Sequence, residues 1–125
     1  PPIGTMNSLT TKSNGKAVLA FLPENQVHKL IETEGLPAFT KNSITDPRAL
    51  LRELAAIRKR GYATDFEEFR EGISAVSAPV FNADGHVMAT LAVTAPAFRL
   101  TKEKAQDYGK KCVDAAARLS AIIPQ

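Results

Sequence analysis

Ile73-Ser74-Ala75-Val76-Ser77-Ala78-Pro79-Val80-Phe81, then Asn82-Ala83-Asp84-Gly85, then His86-Val87-Met88-Ala89-Thr90-Leu91-Ala92-Val93-Thr94 reads as two strands and the turn that joins them. Asp-Gly between alternating runs is a strong hairpin signal. The hairpin excludes a purely parallel sheet. Strand period two separates the faces. Ile73, Ala75, Ser77 and Pro79 share one face, opposite Val76, Ala78 and Val80. On the second strand Val87, Ala89, Leu91 and Val93 suit helix packing, opposite Thr90, Ala92 and Thr94. The face with Ala75, Ser77, Thr90, Ala92 and Thr94 carries small side chains, where a plain core face would carry Leu, Ile and Phe. Small residues leave room and the hydroxyls supply hydrogen bonds, as ligand pockets require.

The flanks read mainly as helices. Ser13 or Asn14 is placed to cap a helix from about Gly15 to Leu22. Pro23 fits the first turn of a second helix that Gly35 ends. Thr45 or Asp46 caps a third, with Pro47 just inside. Leu50, Leu54 and Ile57 make its apolar side, and Gly61 is its left-handed stop. Tyr62 to Thr64 starts a strand, and Ile3 to Met6 reads as the tail of another. Ala95-Pro96 is expected to break the second hairpin strand. Thr101 caps a last helix whose stripe is Ala105, Tyr108, Cys112, Ala115, Ala116, Leu119, Ile122 and Ile123, with Pro124 ending it. Helices, then strands, then a helix argue for an α/β (α+β) sandwich with a mainly antiparallel sheet flanked by helices. So few strands leave edges needing partners, which suggests strands missing on the N-terminal side.

With 125 residues, 44% hydrophobic and 23% charged, the chain suits one compact soluble domain. A net charge of +3 is too weak to argue for nucleic acid. The densest basic run, Arg58-Lys59-Arg60, complements a helix end. A lone cysteine permits no internal disulfide, and no apolar run approaches the roughly 20 residues of a membrane span. Without a signal peptide the expectation is a cytoplasmic protein. The start at Pro1 does not read as a natural domain start and suggests a piece of something longer.

Few residues offer chemistry. Cys112 sits on an apolar helix face and reads as core. His28 and His86 lack metal-ligand spacing, so no metal or cofactor is expected. Thr40, Ser43, Ser74 and Ser77 lie in no nucleophile elbow, and no glycine-rich nucleotide motif occurs. Ser13-Asn14-Gly15-Lys16 offers backbone N–H groups to a ligand carboxylate. Asp65, Glu67 and Glu68 are either a solvated acidic loop or, for Asp65 and Glu68, an acid/base pair.

Four stretches carry a family resemblance. Gly61 to Asn82 follows G-x3-D-x2-E-x6-A-V-S-x2-V-F-N. Lys16 to Pro23, Leu36 to Asp46 and Thr94 to Thr101 are similar to the GKALLAFLP, LPRFTPNTITD and SGPxxRLT runs of the isocitrate lyase regulator (IclR) family of bacterial transcription factors. The resemblance covers most of the chain and implies a GAF/PAS-like effector-binding domain over residues 1–125, incomplete at its N-terminus. It implies a sensor of a small organic acid, not an enzyme, that meets promoter DNA only through an N-terminal winged helix-turn-helix absent here. A homodimer or homotetramer without membrane contact is expected. Effector positions carry over to Ser13, Asn14, Asp65, Ala75, Ala92 and Thr94. Relatives often have Gly or Ala at position 14, so Asn14 shrinks or polarises the site. Ala75 removes a thiol some relatives offer, and Ala92 removes a hydroxyl that Thr94 keeps. These departures suit a ligand with an apolar or aromatic body. Asp65 is then the pocket acid, while Glu67 and Glu68 are loop structure. A GAF-like enzyme using Asp65 and Glu68, and a structural oligomerisation module, are the competing readings.

Overall fold

The computed structural model describes residues 9–123. Its elements are α1 (Ser13–Leu19), α2 (Glu24–Glu34), α3 (Pro47–Arg60), β1 (Ala63–Phe66), β2 (Ile73–Phe81), β3 (Val87–Pro96) and α4 (Lys102–Ile122). The expected strand at Ile3 to Met6 and the stop at Pro124 lie outside the described residues. The three strands form one antiparallel sheet in the order β1-β2-β3. This is the mixed α/β architecture expected from the hairpin and its helical flanks.

Local chemistry sets the clearest boundaries. The Asp46 carboxylate accepts from the Arg48 N–H at 3.4 Å, and Pro47 opens α3 where no N–H is needed. Gly61 stops it at φ 92°, a left-handed conformation that suits glycine. In the hairpin turn, Asn82 Oδ1 accepts from the N–H groups of Asp84 and His86, each at 3.0 Å.

Two apolar clusters sandwich the sheet. On one side α1, α2 and α3 bury Ala17, Leu19, Val27, Leu50, Leu54 and Ile57 with Ala63. On the other, Val76, Ala78 and Val80 meet Ala105, Cys112 and Ala116 of α4. Cys112 is thus core, and burial pushes its thiol pKa up. Gly109 is also buried in α4. A Cβ there would lie 2.5 Å from the Tyr62 ring. Gly109→Ala should therefore lower the urea midpoint. Overpacking strain of about 1–3 kcal/mol outweighs the gain in helix propensity of about 1 kcal/mol. A raised midpoint would contradict this packing.

Four expectations are corrected. Helix α1 starts at Ser13, with Lys12 as N-cap and no side-chain cap bond, so Ser13 and Asn14 lie inside its first turn. Strand β3, at the sheet edge among the described residues, continues through Pro96, which such a strand accepts at its end. On the helix-facing side of β3, Val93 packs on the α4 cluster, whereas Ala89 is exposed. The α4 stripe is only partly covered: Tyr108, Leu119 and Ile122 are exposed, Ile122 by 76%.

Candidate functional site

The sheet register builds the floor of a cavity. Asp65 pairs with Ala75, and Ala75 with Thr94, so these three form one row across β1, β2 and β3. The next row is Ala63, Ser77 and Ala92. Helix α1 lies over this face, fastened where the buried hydroxyls of Ser13 and Ser77 meet at 2.7 Å. Beyond the start of α1 lies a cavity of about 240 Å3, lined by Lys12, Ser13, Asn14, Asp65, Phe69, Ile73, Ala75, Ala92 and Thr94. All six residues singled out from the sequence therefore surround one space. Ser13, Asp65 and Ala75 are buried, whereas Asn14, Ala92 and Thr94 are exposed.

Helix geometry leaves the first N–H groups of α1 without intrahelical acceptors. Asn14 Oδ1 takes one of them, accepting from the Gly15 N–H at 2.9 Å. An entering acceptor thus meets a carboxamide already folded back on the helix start.

Two of the three acids Asp65, Glu67 and Glu68 are withdrawn from solvent, while Glu67 is half-buried. Asp65 and Glu68 are both buried. Asp65 Oδ1 accepts from the Glu68 N–H at 2.7 Å. Glu68 faces away from the cavity lining: Oε1 lies 2.7 Å from Lys16 Nζ, and Oε2 accepts from the Phe66 N–H at 3.2 Å. Lys16 has no exposed surface and also reaches Glu53 Oε2 at 3.2 Å. Burial raises the pKa of both Asp65 and Glu68 above the ordinary carboxylate range, against the lowering pull of Lys16. The two carboxyl groups do not converge on the cavity, so this arrangement does not make an acid/base pair.

The turn after β1 is pinned from outside. Thr40 and Ser43 hydroxyls donate to the Glu67 and Glu68 carbonyls, and Asn42 Nδ2 donates to the Phe66 carbonyl. Thr40 and Ser43 are thus loop fasteners rather than nucleophiles. Glu67 holds a left-handed φ of 58°. This turn places Phe69 in the cavity wall, where Lys12 Nζ lies 4.5 Å from its ring centroid and Phe39 packs at 5.2 Å.

Lys12, Phe69 and Ile73 were not picked out as lining residues from the sequence. Lys16 was also missed, although a lysine between buried Ala17 and Gly15 at the core side of a short helix is a detectable signal. Among the described residues no group of three His, Cys, Asp or Glu could hold a metal, and no helix is long and apolar enough to cross a membrane. His28 is exposed, 3.6 Å from Glu24.

The family described as bacterial transcriptional regulator IclR C-terminal matches residues 1–121. The chain is 34% identical to the transcriptional repressor IclR of Escherichia coli over 119 residues, 95% of this chain and 43% of that protein. It therefore spans less than half of that relative. Among solved structures, the Thermotoga maritima IclR superposes with a TM-score of 0.85 at 38% identity, covering 90% of this chain and 46% of that one. The inducer-binding domain of PobR from Acinetobacter, a double mutant in complex with 3-hydroxybenzoic acid, superposes with a TM-score of 0.84 at 28% identity. That match covers 92% of this chain and 66% of the other.

Proposed function

This chain belongs to the IclR family of bacterial transcriptional regulators, as a C-terminal domain, and we propose that its cavity senses a small organic carboxylic acid. The observation that carries this reading is the meeting of Ser13, Asn14, Asp65, Ala75, Ala92 and Thr94 around one space. The size supports it. A cavity of roughly 150 Å3 holds benzene, so about 240 Å3 admits one substituted ring or a short aliphatic acid. The low polarity of Ala75, Ala92 and Ile73 favours an apolar or aromatic body. PobR, whose domain is crystallised with a monocyclic aromatic acid, is a relative in keeping with that choice.

In this reading residues 1–125 are the effector-binding part, and promoter DNA is met by an N-terminal winged helix-turn-helix of the full-length regulator. The ligand acts by favouring one state of a homodimer or homotetramer, and only as far as its affinity differs between states. Polar roles divide along the rim. Thr94 supplies a hydroxyl, and the Ser13 and Asn14 amides supply donors. Asp65 accepts a hydrogen bond from a ligand hydroxyl.

Thermal-shift screening of small carboxylic acids, with Asp65→Ala and Asn14→Leu beside the parent, tests the site. Acids that fit should raise the parent's melting temperature, and both variants should blunt the rise. A panel with no stabilising acid, or variants that respond as the parent does, would remove this assignment.

A further inference from the structure

Lys12 brings a cation to the wall of the cavity. It is half-buried immediately before α1; among the described residues its ammonium lies 4.5 Å from the Phe69 ring centroid, and at longer range its charge acts on Asp65. No carboxylate lies within 4.0 Å of its ammonium there. The other nearby ammonium, on Lys16, is fully buried and committed to Glu53 and Glu68. Glu53 also lies 3.8 Å from Arg60. Two cations and two carboxylates therefore balance behind the wall, while one cation, Lys12, and one carboxylate, Asp65, face the space itself.

We propose that Lys12 pairs with the anionic group of the ligand and makes the cavity selective for a small monoanion over both its neutral analogue and a dianion. The proposal rests on the effector-sensing reading above. A single anion near Lys12 gains a charge-assisted contact. A second anionic group would meet Asp65, whose carboxylate faces the same space with no second free cation beside it. Phe69 is a positioning residue: its ring face holds the ammonium at the rim, and Phe39 packs on it at 5.2 Å.

Calorimetric titration of the whole chain tests this with benzoate, 3-hydroxybenzoate and butanoate as monoanions, 3-hydroxybenzamide as a neutral analogue and isophthalate as a dianion. The parent should prefer 3-hydroxybenzoate to both of its ring analogues. Lys12→Met should weaken the monoanions about tenfold, the size of one lost charged contact. The amide should be unaffected, and Lys12→Arg should stay within about threefold of the parent. Added salt should weaken 3-hydroxybenzoate for the parent and not for Lys12→Met. Equal monoanion affinity in parent and Lys12→Met would end the role of Lys12 and leave the effector reading standing. A parent that binds none of the three acids would end both. Unchanged urea midpoints in the Lys12 variants separate lost binding from lost folding.

Discussion

Lys16→Met is expected to cost the fold about 3–5 kcal/mol at neutral pH, the usual loss when one partner of a buried ion pair is removed. The methionine fills similar space, so the loss is electrostatic. Glu68 would keep only the Phe66 N–H, at 3.2 Å, as a donor to its carboxylate. The pH dependence follows from Glu68, whose folded pKa already lies above the ordinary range because of burial. A raised folded pKa means the folded state holds the proton more tightly. Its stabilising share is complete below the unfolded pKa and is lost as pH rises through the folded value. Removing Lys16 raises that value further. The gap between parent and variant should therefore be widest in alkali and close on acidification. Glu68→Gln added to Lys16→Met should restore part of the loss at neutral pH, since the buried group is then neutral. Urea unfolding at several pH values measures all three. A variant within about 1 kcal/mol of the parent at neutral pH would mean that Lys16 is not a supporting ion.

Ala75→Phe is expected to abolish acid binding, weakening it at least a hundredfold, or about 2.7 kcal/mol. Ala75 lies between Asp65 and Thr94 in the cavity floor. Its side chain is directed to the face that α1 covers, so a phenyl group there fills the space a ligand would take. The same space shelters the new ring, so folding should survive with a melting temperature near the parent's. Calorimetry against any acid that the parent binds gives the readout. Retained affinity would place the ligand elsewhere. Loss of affinity together with loss of the folded state would mean that the cavity has no room for a ring.

Legibility followed the range of the interactions. The third helix was readable because Asp46, Pro47 and Gly61 act on their own neighbours in the chain. The hairpin was readable because Asn82 and Gly85 close a turn among adjacent residues. The cavity floor was half readable: alternation assigns Ala75, Ala92 and Thr94 to one face, and the family resemblance adds Asp65 and the start of α1. Lys12 and Phe69 join the wall only through tertiary packing between the α1 entry and the turn after β1. Lys16 and Glu68 lie 52 residues apart, so no local pattern announces their pair. The α4 periodicity gave the apolar side of the helix correctly but could not say that Tyr108, Leu119 and Ile122 would remain exposed.

Phe69 also has an optical consequence. The chain contains no tryptophan. An indole introduced as Phe69→Trp would be its single strong emitter, set against a cation on the cavity side and against Phe39, which is 48% exposed. Its colour and quenching would follow what enters the cavity, and its anisotropy would follow the surface loop. One substitution would turn the wall of this cavity into a fluorescent gauge that needs no dye and no attached reporter.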